Sequence, residues 1–227
     1  MLLLFIMITI SFDKELDKMV YEDFHDFSIA GVDFGDKIKH DHPEITEENY
    51  KNYIDNFYKE NILHINESKD EINKILLNKQ ELFFKAIDDL FKKDFRGLNV
   101  TGLLSIFDCN PRYLEEKKFQ IFYKRNNKNK LEVVFHELLH FIFFDYCDSV
   151  LREETRGLGK NRGTLWELSE VFNVIVLNLP QFREILQGEE CLFYSDLKEK
   201  LKTANSLWLD SRGDIKNFIT SYLKKLG

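Results

Sequence analysis

Residues 129–145, NKLEVVFHELLHFIFFD, leave this chain few ways to fold. Val133, Val134, Phe135, Leu138, Leu139, Phe141, Ile142, Phe143 and Phe144 make the segment apolar almost all round, so as a helix it belongs inside a core. Asn129 suits the N-cap, and Glu132 follows at the spacing of a capping box. The same segment carries His136, Glu137 and His140. Helical residues four apart lie above one another on one face, so the two imidazoles point the same way and can share a metal ion. Polar groups in a buried helix need partners, and one zinc ion satisfies both rings. Glu137, on a neighbouring line of the helix, is placed to take a proton from a metal-activated water without being a ligand itself.

Two histidines leave such a site incomplete. No histidine follows His140, and HELLHFIFFDY has Phe143 and Tyr146 where the metzincin pattern needs glycine and a third histidine. The remaining ligand is therefore expected to be a carboxylate. The segment TLWELSEVFNVIVLNLP reads as a helix over residues 164–179 and offers two. Glu167 sits three residues after Thr164, where a capping box would employ it. Glu170 lies one turn further in among Leu168, Val171, Phe172, Val174 and Ile175, where an unpartnered carboxylate is costly. Glu170 is the expected ligand and Glu167 the alternative. Asn173 shares the face of Glu170 and suits a hydrogen bond to a ligand carboxylate or to the second nitrogen of a histidine.

The rest of the chain reads as scaffold. Its 227 residues suit one domain, 1–227, with residues 195–227 a C-terminal helical pair completing the core. The net charge of −7, and the absence of any long basic cluster free of acids, argue against a nucleic-acid partner. Cys109, Cys147 and Cys191 are few, odd in number and far apart, which fits a reducing compartment. Residues 1–12 lack a basic start and a cleavage motif and are too short to span a bilayer; residues 2–10 read as a buried strand. A soluble, cytoplasmic protein without a membrane partner is the expectation.

Leu16, Met19, Val20 and Phe24 predict a helix over 13–27, followed by a loop at Gly31 and Gly35. His40 and His42 read as a solvated turn and His64 as structural. Thr46 is expected to open one helix, and Ser68 with Glu71 to cap a second, longer one ending before Gly97. Residues 99–108 and 117–124 predict an antiparallel strand pair. Phe119 to Tyr123 is a candidate edge for an extended peptide. The fold class is α+β, mostly helical, with a small sheet packed beside the HExxH helix.

HELLH followed thirty residues later by a helical glutamate resembles the gluzincin branch of zinc metallopeptidases, which includes thermolysin-like enzymes. The resemblance covers His136 to His140 and residues 165–180. It implies a zincin-like fold and hydrolysis of a peptide or protein substrate, with zinc held by His136, His140 and Glu170 and with Glu137 as general base. In that branch an acidic or amide residue usually stands four positions after the ligand glutamate; here Val174 is there and the amide comes at Asn173. The short spacing and EVFNVIVLNLP are also similar to small intracellular metallopeptidases that cleave phage or stress-response repressors, which implies a selective cytoplasmic role. Zincins often set a downstream histidine or tyrosine against the oxyanion, and Tyr194 is the candidate, with Arg156 and Arg162 as alternatives. The second reading is a non-catalytic, zinc-stabilised domain that keeps a peptidase fold for binding. An intact Glu137 favours the enzyme, since a structural zinc site needs no general base and is closed by a fourth protein ligand.

Overall fold

The computed structural model describes residues 8–95 and 97–226. It is mostly helical with a small mixed sheet. The contacts fall into two compact units. One comprises Met1–Leu82 and Arg96–Phe135, the other Phe83–Phe95 and His136–Gly227.

The first unit holds the sheet. Strands β1 (Ile8–Phe12), β4 (Val100–Ser105), β5 (Arg112–Tyr113) and β6 (Lys118–Phe122) stand in the order β1-β4-β6-β5. Helices α1 (Lys14–Phe24) and α2 (Phe34–Asp41), with the hairpin β2 (Ser28–Ile29) and β3 (Val32–Asp33), come between β1 and the long helix α3 (Tyr50–Phe91). Both β1–β4 and β4–β6 are parallel, which corrects the antiparallel pair expected from the sequence. The reason is β5: the chain reverses there first, so the antiparallel ladder forms between β5 and β6. Strand β6 is consequently an inner strand. Gln120 N–H donates to Pro111 O (2.9 Å) and Phe122 N–H to the Asn110 side chain (3.3 Å). The peptide-binding edge expected at Phe119 to Tyr123 is therefore already occupied.

The outer edge of β1 is covered by side chains of α3. Asn73 accepts from Ile10 N–H (3.0 Å) and donates to Ile10 O (2.9 Å), completing the strand's pairing as a neighbouring strand would. The expected strand over 2–10 is described only from Ile8, residues 1–7 lying outside the described part. One helix replaces the two expected at Thr46 and Ser68. Thr46 and Asn49 cap each other reciprocally at its start, and no glycine or proline interrupts residues 50–91. Ser68 lies mid-helix, where its hydroxyl donates to Tyr123 O (3.0 Å). His42 is buried rather than solvated, with one ring nitrogen against Tyr53 Oη (3.0 Å) and the other against Ile106 O (2.8 Å).

The second unit is helical. It takes the end of α3, residues 136–150 of α4 (Asn127–Val150), α5 (Thr164–Leu177), α6 (Pro180–Leu186), a short 3-10 turn (Ser195–Leu197), α7 (Lys198–Asp210) and α8 (Ile215–Leu226). Helix α5 is its axis: from Leu165 to Leu177 only Glu167 is not buried, and α6, α7 and α8 all pack on it. Phe172 meets the rings of Phe91, Phe143, Trp208 and Phe218 at 5.1–6.2 Å between centroids. Among the described residues no helix is long and apolar enough to cross a membrane.

Candidate metal centre

Helix α4 starts three residues earlier than the sequence implies. Asn126, not Asn129, is its cap, accepting from Asn129 N–H (2.9 Å). The apolar run then buries Phe135, Leu138 and Leu139 completely and takes the polar residues between them inside. His140 is fully buried, Glu137 is 6% exposed, and the His136 side chain keeps 15%.

Glu170 comes to these rings from α5. Its two oxygens stand 3.3 Å from His136 Nε2 and 3.4 Å from His140 Nε2, and the two Nε2 atoms lie 3.1 Å apart. One donor atom from each of the three residues falls within 4.8 Å of the others. Tetrahedral bonds of 2.0–2.1 Å put neighbouring ligand atoms about 3.3 Å apart, so this donor set fits a zinc ion in both chemistry and spacing. Burial pushes His136 towards its neutral form, but the carboxylates of Glu170 and Glu190, one against each ring nitrogen, outweigh it and hold the imidazolium well above the ordinary histidine range. The cluster is thus a place where positive charge is favoured.

Glu167 goes elsewhere. Gly163, with φ of +82°, takes the N-cap of α5, so the capping box expected from Thr164 does not form. The Glu167 carboxylate pairs instead with Lys200 of α7. Asn173 does reach the site, though by a different bond from the one expected. Its Nδ2 donates to the backbone carbonyl of His136 (2.8 Å), tying α5 to α4 at the level of the cluster.

Tyr194 stands against Trp166 (5.1 Å between centroids) and Phe193 (5.0 Å), at the start of the 3-10 turn. Trp166 is one helical turn before Glu170, which fixes Tyr194 near that face of α5. Arg156 pairs with Glu153 at the exposed surface (2.6 Å), and Arg162 is exposed. One residue of the site was not singled out in the sequence. Glu190, in the loop after α6, places Oε1 3.1 Å from His136 Nδ1. A carboxylate in a glycine-containing loop has no helical period to mark it, and only the folded chain brings it to the ring.

Comparison with protein-family models, with curated proteins and with solved structures finds no match.

Proposed function

We propose that this chain is a zinc-dependent metallopeptidase of the gluzincin type, with a zincin-like active-site helix, hydrolysing peptide bonds in a peptide or protein substrate. The observation that carries the reading is the convergence of His136, His140 and Glu170 from two helices, with Glu137 on the same turn of α4. Glu190 engages the far nitrogen of His136, so three protein ligands face the proposed ion and a position is left for water. That arrangement favours catalysis over a closed structural site. The three cysteines are free thiols, in keeping with a cytoplasmic setting.

Zinc bound there would supply Lewis acidity, lowering the pKa of a water towards ~7 and polarising the scissile carbonyl. The other roles belong to the chain. Glu137 accepts the proton of the attacking water and returns it to the leaving amine. Glu170 contributes negative charge and joins the two histidines into one face. Burial of His140 and Glu170 keeps bulk water away from the ligands, which strengthens every electrostatic interaction there.

Elemental analysis of the purified protein tests the reading first. About one zinc per chain is expected, retained in Glu167→Ala and lost in Glu170→Ala. Glu137→Gln should keep both zinc and helical content while peptide turnover falls by roughly 10²–10⁴-fold. A wild-type protein that takes up no zinc even after reconstitution would refute the metal site. Undiminished function in Glu137→Gln would refute the catalytic role and leave a zinc-stabilised binding domain.

A further inference from the structure

We infer that Glu190 and Asn178 form a positioning pair that sets which nitrogen of His136 is offered to the metal. This rests on the zinc reading above and goes beyond it, because neither residue is one of the ligands.

An imidazole binds a metal through one nitrogen while the other carries a proton, and the partner of that proton decides which is which. Here Glu190 Oε1 lies 3.1 Å from His136 Nδ1. A carboxylate only accepts, so Nδ1 must keep its proton against Glu190, and Nε2 is the nitrogen that gives up its proton to a bound metal. Nε2 is the atom turned to Glu170 and His140.

What holds Glu190 there is Asn178. Its Oδ1 accepts from Glu190 N–H (3.1 Å), and its Nδ2 donates to Glu190 O (2.8 Å) and to Val174 O (2.8 Å). The amide thus clamps the Glu190 backbone from both sides and fastens it to the last turn of α5. Gln187, with φ of +58°, ends α6 in the left-handed region and turns the chain back towards that clamp. Helix α5 consequently orients two carboxylates: Glu170 directly, and Glu190 through the side chain of its own C-cap residue, Asn178. Both nitrogens of His136 are then governed from one helix.

Zinc affinity, read by competition with a chromophoric chelator, tests the inference without reference to catalysis. Glu190→Ala should weaken zinc binding 10–100-fold, the usual effect of removing a partner of a ligating histidine. Glu190→Gln should fall between this variant and the wild type, since an amide oxygen still accepts from Nδ1–H without the charge. Asn178→Ala should weaken binding in the same direction although it touches no ligand. Glu189→Ala is the control: that side chain is exposed and pairs with Arg183, so affinity should not change. In the zinc-loaded wild type, nitrogen NMR should find the His136 proton on Nδ1.

Wild-type zinc binding with Glu190→Ala within twofold of it would overturn the positioning role and leave the zinc site standing. No zinc binding in the wild type would overturn both. Should Glu190→Ala lose its helical signal, Glu190→Gln decides: folded with wild-type affinity and no proton on Nδ1, it overturns the inference; folded with weakened affinity, it supports it.

Discussion

Asp17 is a fully buried carboxylate surrounded by four donors. Ser105 Oγ (2.6 Å) and Gln120 Nε2 (2.9 Å) meet one oxygen, and Tyr58 Oη (2.7 Å) and Ile106 N–H (2.9 Å) meet the other. Burial raises its pKa to about 6 in spite of those four bonds, which pull it down. A carboxyl whose folded pKa lies above its unfolded value stabilises the fold most below the unfolded value, and the gain is lost as pH rises through the folded one. The shift from 3.8 to about 6 is worth on the order of 3 kcal/mol. Denaturant unfolding of the wild type and Asp17→Asn should therefore diverge by about that much as pH falls from 6.5 to 4, the wild type gaining. A constant difference across that window would show that the four donors cancel the effect of burial. Asp17 also shows where sequence reading stops at this scale. His136, His140 and Glu170 were legible because each lies on a helix whose period fixes its direction. Asp17 and His42 sit among polar neighbours in sequence, and only partners 11–103 residues away reveal that they are buried.

At the scale of elements, glycine 102 decides how tightly three strands can lie. In the parallel register Gly102 pairs with Ile10 of β1 and with Phe119 of β6. A Cβ built there would stand 2.5 Å from Ile10 Cδ1 and 3.0 Å from Phe119 Cζ. Gly102→Ala should thus lower stability by roughly 1–3 kcal/mol, the cost of overpacking, visible as a lower urea midpoint with an unchanged slope. Pairing Gly102→Ala with Ile10→Val should recover part of the loss, because the methyl removed is the one in the way. An unchanged midpoint would mean that the two neighbours yield freely. The strands were legible from their apolar runs, but their directions were not, because the two residues of β5 are too short to register as a strand. Helix α5 was legible to within two residues, whereas α4 begins three residues before the start that a cap at Asn129 implies and ends five residues after Asp145, where its apolar segment stops. The 42 residues of α3 were read as two helices because Ser68 looks like a cap, and in the fold its hydroxyl serves β6's following residue, Tyr123, instead.

At the scale of the whole molecule, the proposed ligands and the pair that positions them all belong to the second unit. Helix α4 nevertheless begins in the first unit, and α3 passes from one to the other. Zinc that binds only the folded state stabilises it by about 4 kcal/mol at a thousandfold excess over Kd, and hydrogen exchange can read where that stabilisation is felt. If the units open separately, adding zinc should slow exchange in peptides from residues 136–150, 164–177 and 187–191 and leave those from β1, β4 and β6 unchanged. If the two shared helices make the chain a single cooperative body, protection should rise equally in the sheet. The expected result is the first. The sheet has its own buried core, with Ile8, Ile10, Leu104, Phe119 and Ile121 each at most 2% exposed, and none of its described residues belongs to the proposed donor set. Equal protection everywhere would overturn that expectation and make metal removal a way to unfold the entire chain; a local response would confine the effect of a chelator to the site and the helices that carry it.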